Sequence, residues 1–361
     1  MTVTARRPRA AALVTAIAAG CLAPYSGSHA RAQPMPRPTV LVIPFDSEGR
    51  DGRGYWLREA SAVLLTDDFA SLGVSAMSRD HRLRAFDSLR VPATAPLSHA
   101  TVIRVGQIVG AMRVVVGSCA ISGDTLTVRA RAILLDGGQI SAEVVETGPL
   151  VNLFDVYARV ARRLAEGWPR EAAPVEANHP GVAAFEQYVK GLLAEGPAMK
   201  LSFLREALRL SPTLERARIE IWAVYNELGE HQNALAAVRQ VSFDPALGGP
   251  AAALAREAAF LSSVSLVQLG RYQEAFDVLT DLNRVAVDGS LLNNLGVVQL
   301  RRPPVGATGR RAVAYFTDSI AVEGADSDLL FNLGHRMPKP GDCWTGFRPN
   351  RVFPRLRLPT C

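Results

Sequence analysis

The feature that most constrains this chain is a spacing that occurs twice. Tyr225, Gly229, Ala234 and Val238 are followed forty-one residues later, at the same intervals, by Leu266, Gly270, Ala275 and Leu279. Small residues at one phase of apolar helical stretches let helices approach where larger side chains would clash. A glycine between two such stretches is a turn signal. One hairpin of this kind cannot bury its own apolar face, so it must stack on neighbours. The second half of the chain is thereby committed to an array of antiparallel helices.

The pattern extends both ways. A weaker copy spans 185–212, with Glu206-Ala207-Leu208 and Ser211-Pro212 at its end. Asn294-Leu295-Gly296, Ala312-x3-Phe316 and Phe331-Asn332-Leu333-Gly334 belong to later copies. The stretch Leu269-Gly270-Arg271-Tyr272-Gln273-Glu274-Ala275 resembles the turn and second helix of the tetratricopeptide (TPR) repeat. The resemblance covers 181–334 and implies an all-α superhelical solenoid. The concave face of such a stack is a groove for an extended or helical segment of a partner. Carried over residue by residue, it places Asn226, Glu227, Gln268, Asn293 and Arg301 in that groove. The chain departs from the family at 301–310, where Pro303-Pro304 lengthens a turn, and in its last repeat, which stops after a few residues.

Ahead of the array, 37–167 reads differently. Val40-Leu41-Val42-Ile43-Pro44-Phe45 is an apolar run of the kind found in a buried strand, and 46–54 is a polar loop with three glycines. Residues 55–72 have helical spacing, with Trp56, Leu57, Ala60, Val63, Leu64 and Ala70 on one face and Gly73 as the stop. A short strand at 74–77, a helix over 79–89 and a Ser98-capped helix to about Ala111 follow. The period then changes to two. Strands are expected over 113–121, 125–135 and 139–146, with turns at Ser122-Gly123-Asp124 and Asp136-Gly137-Gly138. The middle strand alternates Leu126, Val128, Ala130 and Ala132 against Thr127, Arg129 and Arg131, so one face is wet. A helix over 150–166 closes an α/β sandwich. The 40–45 run, Gly54-Tyr55-Trp56-Leu57 and Val114-Val115-Val116-Gly117-Ser118 with its two hairpins resemble the TolB amino-terminal-like domain, a relative of the CsgG and FlgO envelope lipoproteins. That resemblance implies an envelope interaction domain and no reaction. A proline-bearing linker, 168–180, joins the two parts.

The ends explain the formal charge of +6. Residues 1–32 carry +4, from Arg6, Arg7, Arg9 and Arg31, and 335–361 carry +5, which leaves 33–334 at −3. A slightly acidic body is a poor phosphate binder, so nucleic acid is not the expected partner. Residues 1–32 read as an export signal: arginines, the apolar run 10–19, then Ala30-Arg31-Ala32 as cleavage site. Ala18-Ala19-Gly20-Cys21 is a loose lipobox, so Cys21 is a lipidation candidate, and membrane contact is expected only if it is lipidated. The tail 335–361, rich in Pro and Arg, reads as an out-of-frame or truncated end of a longer array in this chain of 37 Arg and 3 Lys.

Catalytic signals are sparse: no GxSxG, HExxH, P-loop or helix-opening GxGxxG is present. Histidines stand alone and cysteines lack metal spacing, so neither metal nor cofactor is expected. The leading expectation is a non-enzymatic, periplasmic or outer-membrane-anchored scaffold that binds an envelope protein. Two alternatives stand beside it. One is a ligand- or glycan-sensing α/β domain signalling through the repeats, which a polar pocket near the 46–54 loop favours. The other is an outer-membrane assembly lipoprotein.

Overall fold

The computed structural model describes residues 39–48, 54–92, 95, 97–170, 179–241, 249–302 and 311–323. The export segment with Cys21, the core of the 168–180 connection, the Pro303-Pro304 insertion and the tail 335–361 lie outside the described residues.

Strand β1 (Thr39–Val42) is the buried apolar run expected, with Val40, Leu41 and Val42 at most 1% exposed. The chain leaves the sheet over 43–45 and rejoins it as β2 (Asp46–Glu48), which is wholly exposed. This corrects the expectation of a loop from 46 onward. Three polar residues give no alternation to read; the backbone of a neighbour holds them in the sheet. That neighbour is β4 (Arg113–Ser122). It pairs in parallel with β1 at Val40–Val42 and again with β2, setting Asp46 beside Ser118. Strand β3 (Ser75–Ala76) forms one edge, parallel to β1. Strands β5 (Thr125–Leu134) and β6 (Val144–Pro149) follow β4 as antiparallel hairpins. The strand expected at 139–146 is displaced toward the C-terminus, and only an Ile133–Ile140 bridge forms before it.

Helices cover both faces. Helix α1 (Leu57–Ser71) and α4 (Leu153–Leu164) pack on Phe45, Val115, Cys119, Leu126 and Val128. Helix α2 (Arg79–Leu89) and α3 (His99–Ile108) cover the β1 end of the other face, against Leu41, Ile43, Val114 and Ile133. Ser98 caps α3 as expected, accepting from Thr101 N–H at 3.2 Å. Strand β5 alternates as read, with Leu126, Val128, Ala130 and Ala132 buried and Arg129 and Arg131 exposed.

Helix α1 departs from its expected single apolar face. It is buried almost all round, including Glu59, Ser61, Asp68 and Ser71, while Ala70 is exposed. The cause is a second layer. The helical half of the chain begins with α5 (Val182–Leu193), α6 (Pro197–Leu210), α7 (Glu215–Glu227) and α8 (His231–Val238). It continues with α9 (Gly249–Gln268), α10 (Tyr272–Val285), α11 (Gly289–Arg301) and α12 (Ala312–Glu323). Both α5 and α9 lie against α1. Trp56 meets Phe185 edge-on at 6.3 Å, and Phe69 stacks on Trp168 at 5.2 Å. One apolar core therefore runs from β1 through α1 to Tyr188, Leu204 and Ala217.

Each of α5 to α12 packs on the next in chain order. Gly229 and Gly270 end α7 and α9 with φ of 74° and 72°, left-handed conformations that glycine adopts without a Cβ penalty. Ala234 and Ala275, five residues on from each, are fully buried in the hairpins so formed. The twice-used spacing is thus a pair of equivalent turns.

Gly117 has a different role. A Cβ there would lie 2.2 Å from the Arg129 carbonyl oxygen and 2.5 Å from the Phe45 ring, so the ring rests directly on bare backbone. Gly117→Ala is expected to cost roughly 2–3 kcal/mol, at the upper end of overpacking penalties, because a backbone atom cannot give way. Urea unfolding checks this; an unchanged midpoint would contradict it.

Candidate functional site

On the sheet face that α3 only partly covers, a partly open cleft of about 240 Å³ lies over β2, β4 and β5. Its apolar floor includes Ile43, Leu97, Val102 and Val116, and its polar groups are Asp46, His99, Ser118, Arg129, Arg131 and Glu143. The register places them: Asp46 pairs with Ser118, Ser118 with Arg129, and Val116 with Arg131. Glu143, just before β6, bridges both arginines, at 3.0 Å to Arg131 and 3.7 Å to Arg129. Asp46 lies 3.9 Å from Arg58 of α1. The sequence marked the wet face of β5 and the loop after Phe45. It did not show that β2 would carry Asp46 alongside Ser118.

The residues expected in the groove fall into two groups. Asn226 and Glu227 close α7, the first half-buried and the second exposed, and Gln268 closes α9, exposed. These two helices are joined where Trp222 donates its indole N–H to Ser265 at 2.8 Å. Arg301, half-buried, closes α11. Asn293 does not fit the expectation. It is fully buried, and its amide donates to Asn294 Oδ1 at 3.2 Å. The run from Gly289 to Val298 is buried all along α11, so its polar residues face neighbouring helices rather than a partner.

Charged side chains also gather where α1 and α2 meet the helical array. Glu59, buried on α1, accepts from Arg79 at 2.7 Å and from Arg82, both on α2. Arg82 reaches on to the Val42 carbonyl at 3.2 Å, and Arg79 to that of Leu192 on α5 at 3.1 Å. Arg216 of α7 donates to both oxygens of Asp67 on α1 at 2.8 Å. Burial pushes Asp68 well above the usual carboxylate range, with neighbouring Asp67 adding to the effect and Arg162 opposing it. Cys119 is a free thiol that burial pushes up to about 11, which leaves it un-ionised and inert at neutral pH. Among the described residues no three His, Cys, Asp or Glu side chains gather as a metal site, and no helix is long and apolar enough to cross a membrane.

No family model matches the chain, and no curated protein matches it. Among solved structures it is similar to the C-terminal domain of LpoB from Salmonella enterica, at 15% identity and a TM-score of 0.25, over 31% of this chain and 82% of that one. The Escherichia coli LpoB C-terminal domain gives 17% and 0.26, over 32% and 87%. Lipoprotein GNA1162 from Neisseria meningitidis gives 17% and 0.26, over 37% and 99%.

Glu220, half-buried on α7, supplies a pH test of the charged junction. Burial pushes its carboxyl up to about 7; Asp80 and Glu257 add to this, and Arg79 and Lys200 oppose it. Its folded value lies above its unfolded one, so the folded chain holds the proton longer. Stability falls as pH rises from about 4.3, the unfolded value, toward neutrality, and below that range the carboxyl is neutral in both states. Glu220→Gln keeps the shape and removes the charge. Its melting temperature is expected to match the parent at pH 4 and to exceed it by a few degrees at pH 8. A difference independent of pH would contradict this assignment.

Proposed function

We propose that this chain is an exported, non-enzymatic scaffold of the bacterial envelope that binds another envelope protein through a TPR-like array, α5 to α12. The supporting observation is the array itself: helices packed in chain order, with equivalent turns at Gly229 and Gly270. Stacks of that kind present long surfaces suited to a helix or an extended segment. In this reading Asn226, Glu227 and Gln268, at the ends of neighbouring α7 and α9, contact the partner, and Arg301 extends the surface along α11. Export rests on residues 1–32, and a lipidated Cys21 would turn the same scaffold into an outer-membrane assembly lipoprotein.

A second reading has an observation of its own. The polar cleft bordered by Asp46 is the feature that favours ligand sensing by the α/β part, with the helices passing the signal on.

The test is affinity capture from crosslinked envelope. The intact chain is compared with Asn226→Ala/Glu227→Ala/Gln268→Ala, chosen because none of the three side chains is buried. The expected result is one captured protein, lost by the triple variant at unchanged melting temperature. An identical catch from both chains would overturn the groove assignment and leave the cleft as the site of interest.

A further inference from the structure

The cleft's charges have an order that the scaffold reading leaves unexplained. Asp46, Ser118 and Arg129 stand side by side on β2, β4 and β5. Adjacent strands are about 4.8 Å apart, so an acid and a base face the cleft about 10 Å apart with a hydroxyl between them. The two outer groups are only loosely engaged. Asp46 lies 3.9 Å from Arg58 and Arg129 lies 3.7 Å from Glu143, both beyond hydrogen-bond length. Arg131 and Glu143, at 3.0 Å, are by contrast already paired.

We propose that this cleft binds a small zwitterion the size of a free amino acid, with its ammonium at Asp46, its carboxylate at Arg129 and an apolar side chain on the floor. The inference rests on the sensing reading and names the ligand class. Among the described residues the lining holds two carboxylates, Asp46 and Glu143, and two guanidiniums, Arg129 and Arg131. A simple anion meets both carboxylates, and a simple cation meets both guanidiniums. A zwitterion laid along the row meets an opposite charge at each end. The guanidinium fork of Arg129 suits a carboxylate, and the Ser118 hydroxyl donates to or accepts from the ligand between the two ends. Ile43, Leu97, Val102 and Val116 give an aliphatic side chain an apolar bed. A volume of about 240 Å³ accommodates a ligand of that size. Among the described residues the lining includes no Phe, Tyr or Trp on which a sugar ring would rest, so a glycan is the poorer fit.

The experiment is a methyl-detected NMR titration of the full chain with three probes of similar shape: L-leucine, 4-methylpentanoate and 3-methylbutylamine. L-Leucine is expected to shift the methyls of Ile43, Val102 and Val116 saturably, at least about tenfold more tightly than either singly charged probe. Asp46→Asn should weaken leucine about tenfold while leaving 4-methylpentanoate unchanged, and Arg129→Gln should weaken leucine while leaving 3-methylbutylamine unchanged. If 4-methylpentanoate binds as tightly as leucine, the zwitterion assignment is overturned and the cleft stands as a carboxylate site. If no probe moves these methyls, the zwitterion assignment falls, while ligand sensing by this part of the chain stands apart from that result.

Discussion

Helix α1 is the constraint on which the rest of the molecule depends. It is covered on one side by the sheet and α4 and on the other by α5 and α9, so every charge on it must be matched or neutral. Glu59 is matched by Arg79 and Arg82, and Asp67 by Arg216. Asp68, whose Oδ2 has no hydrogen-bond partner among the described residues, is held toward its neutral form by burial. Removing one partner of a buried pair typically costs about 3–5 kcal/mol. These contacts fix where the helices sit on the sheet more than they add stability, since a buried ion pair gains little over apolar packing.

Two routes of contact meet in α1. Phe45, between the cleft and the core, donates its N–H to the Arg58 carbonyl at 3.1 Å, and the Arg58 side chain returns a bond to the Phe45 carbonyl at 3.2 Å. Further along the same helix, Asp67 holds Arg216 of α7. The strand carrying Asp46 and the helix carrying Asn226 and Glu227 are therefore tied to one rigid element. Such a chain of contacts carries a signal only if some element in it has two arrangements. As a scaffold, the same chain fixes the orientation of the array relative to the sheet.

Much of this was legible in the sequence. Period-two alternation marked β5 and its wet face, glycine at one phase marked the equivalent turns after α7 and α9, and Ser98 marked the start of α3. Three features were not legible, each because it depends on residues distant in the chain. Strand β2 is three exposed polar residues whose extended form is imposed by β4. The all-round burial of α1 follows from helices that begin more than a hundred residues later, which is why its apolar spacing showed only one face. Asn293 looks polar and available at its position in the repeat, yet α11 is enclosed along most of its length. The cleft combined a legible half, Arg129 and Arg131, with an illegible one, Asp46.

The central claim is that α1 makes the sheet and the first helices of the array one cooperative unit. Native-state hydrogen exchange along a urea series tests it most directly. Peptides covering α1, β5 and α7 are expected to lose protection together, with the same opening free energy and the same dependence on urea. Opening of α7 at lower urea, with β5 still fully protected, would contradict the account and make the two parts independent bodies joined by a linker.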